Sequence, residues 1–224
     1  RNTARYILGN LDGYHPDEPV PFGQMAELDQ WALVKLGDLI RRCLTAYENF
    51  EFHAVTYAIH NFCVVEMSSF YLDIIKDRLY CEKADSLARR SAQTAIYTIL
   101  DAMVRLLAPI LAFTADEIWQ AMPHGAGANP EHVMLNDMPA ADDVWVFTPE
   151  QAAKWDLALR LRTDVNRALE SARADKSIGK PLDAAVALYF NEEGWKAFQT
   201  IAELNLKALF IVSDVTAEEG EGEG

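Results

Sequence analysis

The chain has 224 residues, half of them hydrophobic, and a formal net charge of −14. That length holds one large domain, or one domain with a smaller appendage, and the apolar content supports a real core and argues against global disorder. No uninterrupted apolar run reaches about 18 residues, so no membrane span is expected. The acidity argues against indiscriminate binding to polyanions but leaves room for a local basic face.

The chain opens on Arg1, without an initiating Met and already in a helical pattern, and reads as part of a longer polypeptide. A first helix runs to about Leu11, with Tyr6, Ile7 and Leu8 as its apolar part. A loop containing Pro16, Pro19 and Pro21 follows. From Glu27, the residues Leu28, Trp31, Ala32, Leu36, Leu39, Cys43 and Tyr47 recur at steps of three and four, which is one helix face. A single helix is then predicted from about Glu51 to Tyr80. Its part from Phe62 onward carries apolar side chains on nearly every face, the pattern of a helix buried on several sides. This is the expected centre of a bundle, and its C-terminal tip offers Lys76, Arg78 and Tyr80.

A fourth helix starts near Ser86 and carries the cleanest apolar stripe, from Ala92 through Ile96, Ile99 and Met103 to Ile110. Pro109 should end or kink it, and Thr114 with Glu117 reads as a capping box for a short helix that stops at Pro123. Residues 123–147 are rich in Pro, Gly, Asp and Asn and read as a surface excursion, with a short strand at Val133–Leu135. Thr148 and Pro149 open another helix, as N-cap and first helical residue, which Gly179-Lys180-Pro181 stops. Ala184–Phe190 as strand, Glu192–Glu203 as helix and Leu206–Val212 as strand make a parallel βαβ unit. The expected class is therefore mainly α: an antiparallel helix bundle over residues 1–122, a surface excursion at 123–147, a long helix at 148–182 continuing the bundle, a small α/β element at 183–215, and a disordered acidic tail at 216–224.

Charge is uneven along this layout. Residues 121–147 hold four acids and no Lys or Arg, whereas residues 148–182 hold seven basic against five acidic residues. Cys43, Cys63 and Cys81 form no C-x-x-C pair, which points away from zinc, and apolar-flanked thiols suit a reducing compartment. His53 and His60 lie seven apart, not at the four-residue spacing that sets two rings on one ion. Glu66 and Asp73 are also seven apart, about 10 Å along a helix, which is wide for paired acid–base work. Ser68 and Ser69 lack a nucleophile elbow, and His124-Gly125-Ala126-Gly127 lacks the lysine of a phosphate loop. Arg and Tyr at the tip suit single-stranded nucleic acid, as cations for phosphate and a flat face for bases. The plain alternative is that Lys76 and Arg78 only complement the helix dipole. The arginines of the later helix, Arg160, Arg162, Arg167 and Arg173, read first as a solvated face with ion pairs.

Several of these segments resemble class I aminoacyl-tRNA synthetases of the Ile/Val/Leu group. Arg1-Asn2-Thr3-Ala4-Arg5-Tyr6 with Gly9-Asn10-Leu11 resembles the helix that follows the signature lysine loop of that group. Leu106–Trp119 is similar to the group's helix–proline–helix segment, and Val165–Glu170 with Ile178-Gly179-Lys180 to its later helix. Ser69–Tyr80 resembles the bacterial isoleucine branch more closely than the valine or leucine branches, which stay as alternatives. Together these segments cover most of residues 1–215.

The resemblance implies a helical anticodon-binding domain followed by an α/β junction, acting on an isoleucine tRNA in the cytoplasm within a monomeric enzyme. Such an enzyme forms isoleucyl-AMP from isoleucine and ATP with Mg, then charges the tRNA. Bacterial relatives often carry a C-terminal zinc module. Its ATP-handling loops, of His-Gly-His and Lys-Met-Ser-Lys type, are missing from this sequence, as are the editing domain and any paired cysteines. No catalytic residue, cofactor or metal site is therefore expected here. By carry-over, the RNA-binding set is Arg1, Asn2, Arg5, Lys76, Arg78, Tyr80, Arg89 and Arg90. Arg78 and Tyr80 are expected at unpaired bases, and Arg1, Lys76, Arg89 and Arg90 at phosphates. Without the resemblance, a helical interaction scaffold with an exposed apolar groove ranks first; a small-molecule enzyme would need a pocket of pKa-shifted groups.

Overall fold

Trp31, Leu36, Ile40 and Cys43 line one side of α2 (Glu27–Glu48), and all four are buried. They meet the buried stripe Ala92, Ile96, Ile99, Met103 and Leu106 of α6 (Leu87–Leu107). This pair of helices is the spine of the first of two compact units, Arg1–Val146 and Phe147–Gly224, in a computed structural model that describes residues 1–220. Around the spine lie α1 (Asn2–Leu8), α3 (Phe52–Asn61), α4 (Leu72–Ile74), α5 (Lys76–Cys81) and α7 (Ala112–Trp119). Ser86 caps α6 by accepting from the Arg89 backbone N–H at 3.2 Å, and Pro109 ends that helix as expected. The next helix starts sooner than the expected Thr114 cap: Leu111 holds the N-cap position, and its carbonyl accepts from the Ala115 N–H at 2.8 Å. Val133–Leu135 is a turn of 3-10 helix, not a strand.

The predicted single helix from Glu51 to Tyr80 is corrected most. Between α3 and α4 the chain winds as ten residues of π-helix, Phe62–Tyr71. From Ile59 to Leu79 the buried positions are Ile59, Phe62, Met67, Phe70, Tyr71, Leu72, Ile75 and Leu79. No residue between Phe62 and Met67 is buried, and that step of five marks the wider turns. With that extra residue, Val64 and Val65 turn outward, 49% and 51% exposed, whereas Phe70, Tyr71 and Leu72 are all buried, so the run is covered on several sides only toward its C-terminal end. An apolar pattern read at 3.6 residues per turn smears over all faces when the turn itself widens. Phe70 is fixed edge-on against Trp31 with ring centroids 4.9 Å apart, which ties the π segment to α2.

In the second unit, Thr148 caps α8 (Pro149–Ala174) with a full capping box: its hydroxyl accepts from the Gln151 N–H at 3.2 Å, and the Gln151 side chain accepts from the Thr148 N–H at 3.0 Å. The sequence reading set this helix in the bundle. Its narrow apolar stripe, Trp155, Ala158, Val165 and Leu169, instead serves the second unit, where α8 meets α10 (Leu206–Phe210). The strands β1 (Ala185–Phe190) and β2 (Asp214–Glu219) are parallel, with Ala185 opposite Asp214 and Phe190 opposite Glu219. The parallel pairing matches expectation; the second strand does not. Leu206–Val212 has the apolar content of a strand, yet Asn205 accepts from the Ala208 N–H at 3.1 Å and starts a helix there. The helix α9 (Glu192–Phe198) is started in the same way by Asn191. The strand thus falls in part of the expected tail; of that tail, residues 221–224 lie outside the described residues. Among the described residues, no helix is long and apolar enough to cross a membrane.

Leu36 is fully buried, so Leu36→Ala is expected to cost about 2–5 kcal/mol in urea denaturation; a loss near zero would contradict the packing described. Glu66, on the π segment, has a buried carboxylate oxygen without a hydrogen-bond partner among the described residues. Burial pushes its carboxyl up, partly offset by its own backbone N–H and by Lys35. A folded-state value above the unfolded one means the fold prefers the protonated acid, so stability falls as pH rises through the raised value. Glu66→Gln should therefore raise the unfolding midpoint at neutral pH, by at most about 1 kcal/mol because water screens the half-exposed group. The gain should shrink below the ordinary carboxylate range; a midpoint lowered at neutral pH would contradict this.

Candidate nucleic-acid interface

Asp29, third residue of α2, is fully buried. Nη1 and Nη2 of Arg78 donate to its two carboxylate oxygens at 2.8 and 2.7 Å, a bidentate pair. The Tyr71 hydroxyl donates to Asp29 at 2.7 Å, and the Ser91 hydroxyl donates to the other oxygen. Ser91 in turn accepts from the Ala26 N–H at 3.0 Å, just before α2. Burial works against the charge on Arg78, but the hydrogen bonds and charge of Asp29 outweigh it and hold the guanidinium above its usual value. Burial, followed by the charge of Asp29, pushes the Tyr71 phenol well up, so it stays a neutral donor.

This corrects the expected role of Arg78. Its fork points inward to Asp29, so its side chain is not presented to bases. On α5 the residues at i−2 and i+2 of Arg78, namely Lys76 and Tyr80, lie together on the opposite face. Tyr80 is 62% exposed. Lys76 is exposed and ion-paired with Asp73 one turn back.

The fold ties α1 to α4, the turn of helix before this tip. The Tyr6 hydroxyl donates to the Leu72 carbonyl at 3.1 Å. Burial and then the neighbouring Tyr80 push the Tyr6 phenol up. At 100° per residue, Tyr6, Asn2 and Arg5 fan across the outer side of α1, and both Asn2 and Arg5 are exposed. Arg1 lies farther round and meets Glu117 of α7 at 3.2 Å, an exposed pair of little energetic weight. Arg89 donates to the Glu82 carbonyl at 3.4 Å, so it stays at the loop that follows α5. Arg90 is drawn to the other side, where it donates to the Glu18 carbonyl at 3.0 Å. Lys76 and Tyr80 thus stand together on α5 with Arg89 at the loop that follows, whereas Arg1 and Arg5 share a hollow with Thr114, Glu117 and Ile118 of α7, Asn2 lines one with Thr56, His60 and Cys63, and Arg90 is held at Glu18.

Sequence reasoning missed Asp29, Tyr71, Ser91 and Tyr6. The available signal was Asp29 itself: it stands in register with Leu33, Leu36 and Ile40 on the apolar face of α2, where an acid needs a buried partner.

Residues 29–188 match the family model described as the anticodon-binding domain of tRNA ligase. The chain belongs to that family. As an anticodon-binding domain it is 50% identical, over 96% of its length, to an isoleucine–tRNA ligase of Syntrophotalea carbinolica. It is 48% identical over 96% to one of Bacillus mycoides, and 45% identical over 99% to one of Natranaerobius thermophilus. The chain spans 23% of the length of each of these relatives. The match to the anticodon-binding family begins at Asp29, the residue on which α5 is anchored.

Arg78→Ala leaves Asp29 buried and unpaired and should cost about 3–5 kcal/mol in urea denaturation. Lys76→Ala, on the exposed face of the same helix, should cost within about 0.5 kcal/mol. Equal effects would contradict the division between an inward and an outward cation.

Proposed function

We propose that this chain recognises the anticodon arm of an isoleucine tRNA as part of a longer isoleucine–tRNA ligase. The observation that carries the reading is the inward pairing of Arg78 with Asp29, which leaves the exposed Tyr80 ring beside Lys76 on the outer face of α5 in a chain of the anticodon-binding family. Single-stranded loops are read by stacking splayed bases on aromatic faces while cations hold the backbone. In this reading Tyr80 stacks on an unpaired anticodon base and Asn2 hydrogen-bonds a base edge. Arg5, Lys76 and Arg89 meet phosphates, with Arg1 and Arg90 at the periphery. Arg78 takes no base and holds the tip.

The rest of the enzyme, with its catalytic and editing domains, supplies activation of isoleucine by ATP with Mg and transfer to the tRNA. The ligase works in the cytoplasm as a monomer. A net charge of −14 makes the affinity of this part alone modest, because polyanion binding is carried by Lys and Arg.

The test is a titration with an isoleucine tRNA transcript and with the same transcript carrying a changed anticodon, at low and moderate salt. The native anticodon should bind more tightly. Tyr80→Ala should remove that preference at about 1–3 kcal/mol. Lys76→Ala should weaken both transcripts alike and flatten the salt dependence. Equal binding of both transcripts to the unaltered chain would contradict base readout by these residues.

A further inference from the structure

The tip helix α5 is only six residues long, and the loop after it is exposed from Glu82 to Asp85. A helix this short has little of its own to fix its rotation about its axis. Two of its side chains face inward: Leu79, an apolar contact that tolerates small rotations, and Arg78, whose planar fork does not. The acceptor for that fork is equally constrained. Asp29 receives donors from three places outside its own helix: Tyr71 at the end of the π segment, Arg78 on α5 and Ser91 on α6. Lys76 and Tyr80, one helical turn apart, point away from the fork. Any rotation of α5 that swings Arg78 off Asp29 turns Lys76 and Tyr80 by the same angle.

We propose that Asp29 and Arg78 are positioning residues for RNA discrimination: the buried pair sets the rotation of α5 and thereby aims Tyr80 and Lys76 at the anticodon loop. The proposal rests on the anticodon reading above. Asp29 touches no RNA, yet its charge governs which RNA is preferred. The widened π turns just before the tip set the phase at which Arg78 arrives inward, so backbone and ion pair define one orientation together.

The experiment uses the whole chain with fluorotyrosine in place of tyrosine, the Tyr80 resonance being assigned from Tyr80→Phe. Asp29→Asn keeps the size of the side chain and removes its charge; Arg78→Lys keeps the charge and removes the fork. Leu36→Ala serves as a control that destabilises the core without touching the pair. At a temperature where all variants are folded, the first two should shift or broaden the Tyr80 signal, and the control should leave it in place. In tRNA titrations the first two should lose roughly tenfold or more in preference for the native anticodon, with a flatter salt dependence as Lys76 turns away. The control should keep the preference. A Tyr80 signal unmoved in Asp29→Asn and Arg78→Lys would overturn the positioning role whatever the RNA result. So would equal loss of preference in Leu36→Ala. A moved signal, together with no anticodon preference in the unaltered chain, would instead remove the RNA reading and leave the anchoring of α5 established.

Discussion

A carboxylate without solvent is costly unless each of its oxygens is met by donors. In this chain the demand of Asp29 draws together α2, the end of the π segment, α5 and α6. Much of the first unit follows from that one buried charge. It fixes where α6 begins relative to α2, because Ser91 also holds the backbone at Ala26. It requires a neutral Tyr71, and so a π segment that ends with that ring turned inward. It requires an arginine on α5, since a lysine offers a point charge where the site offers two oxygens in a plane. Replacing such a cluster with apolar groups is often neutral or stabilising elsewhere. Its value here lies in the orientation it imposes on the tip, more than in stability.

The legibility of the fold follows the kind of interaction that determines each element. Helices set by an apolar stripe and a local cap, such as α2, α6 and α8, were readable from Trp31, Leu36 and Ile40, from Ser86, and from Thr148 with Pro149. The central run was not, because its period changes to five in mid-course at Phe62–Met67, and a fixed-period reading cannot register that change. The C-terminal strand was displaced for a different reason: Asn205 starts a helix in a segment whose apolar residues suggested a strand. The cations of the first helix and of the tip were legible in the sequence, but which of them the fold turns inward was not. The division of labour at the tip was hidden, because Arg78 and Lys76 look alike in sequence and only a partner 49 residues earlier separates them.

An acidic chain that handles a polyanion must concentrate its cations or rely on surfaces beyond it. At the α5 tip the outward cations are few, and Asp73 beside Lys76 tempers even that one. Such a surface is poor at indiscriminate phosphate binding and suited to discrimination, where an aromatic face and an amide contribute more than net charge. The curated relatives are roughly four times longer than this chain. In the proposed arrangement the bulk of tRNA affinity resides in those other parts, and the present chain contributes the choice among anticodons.

The most direct test of the account is photo-crosslinking from position 80. A photoreactive phenylalanine in place of Tyr80, irradiated in complex with an isoleucine tRNA, should give adducts that map by primer extension to the anticodon loop. The same substitution with Asp29→Asn should scatter or abolish them. Adducts confined to the acceptor or D arm, or an anticodon adduct indifferent to Asp29, would contradict the claim that a buried ion pair aims this tip at the anticodon.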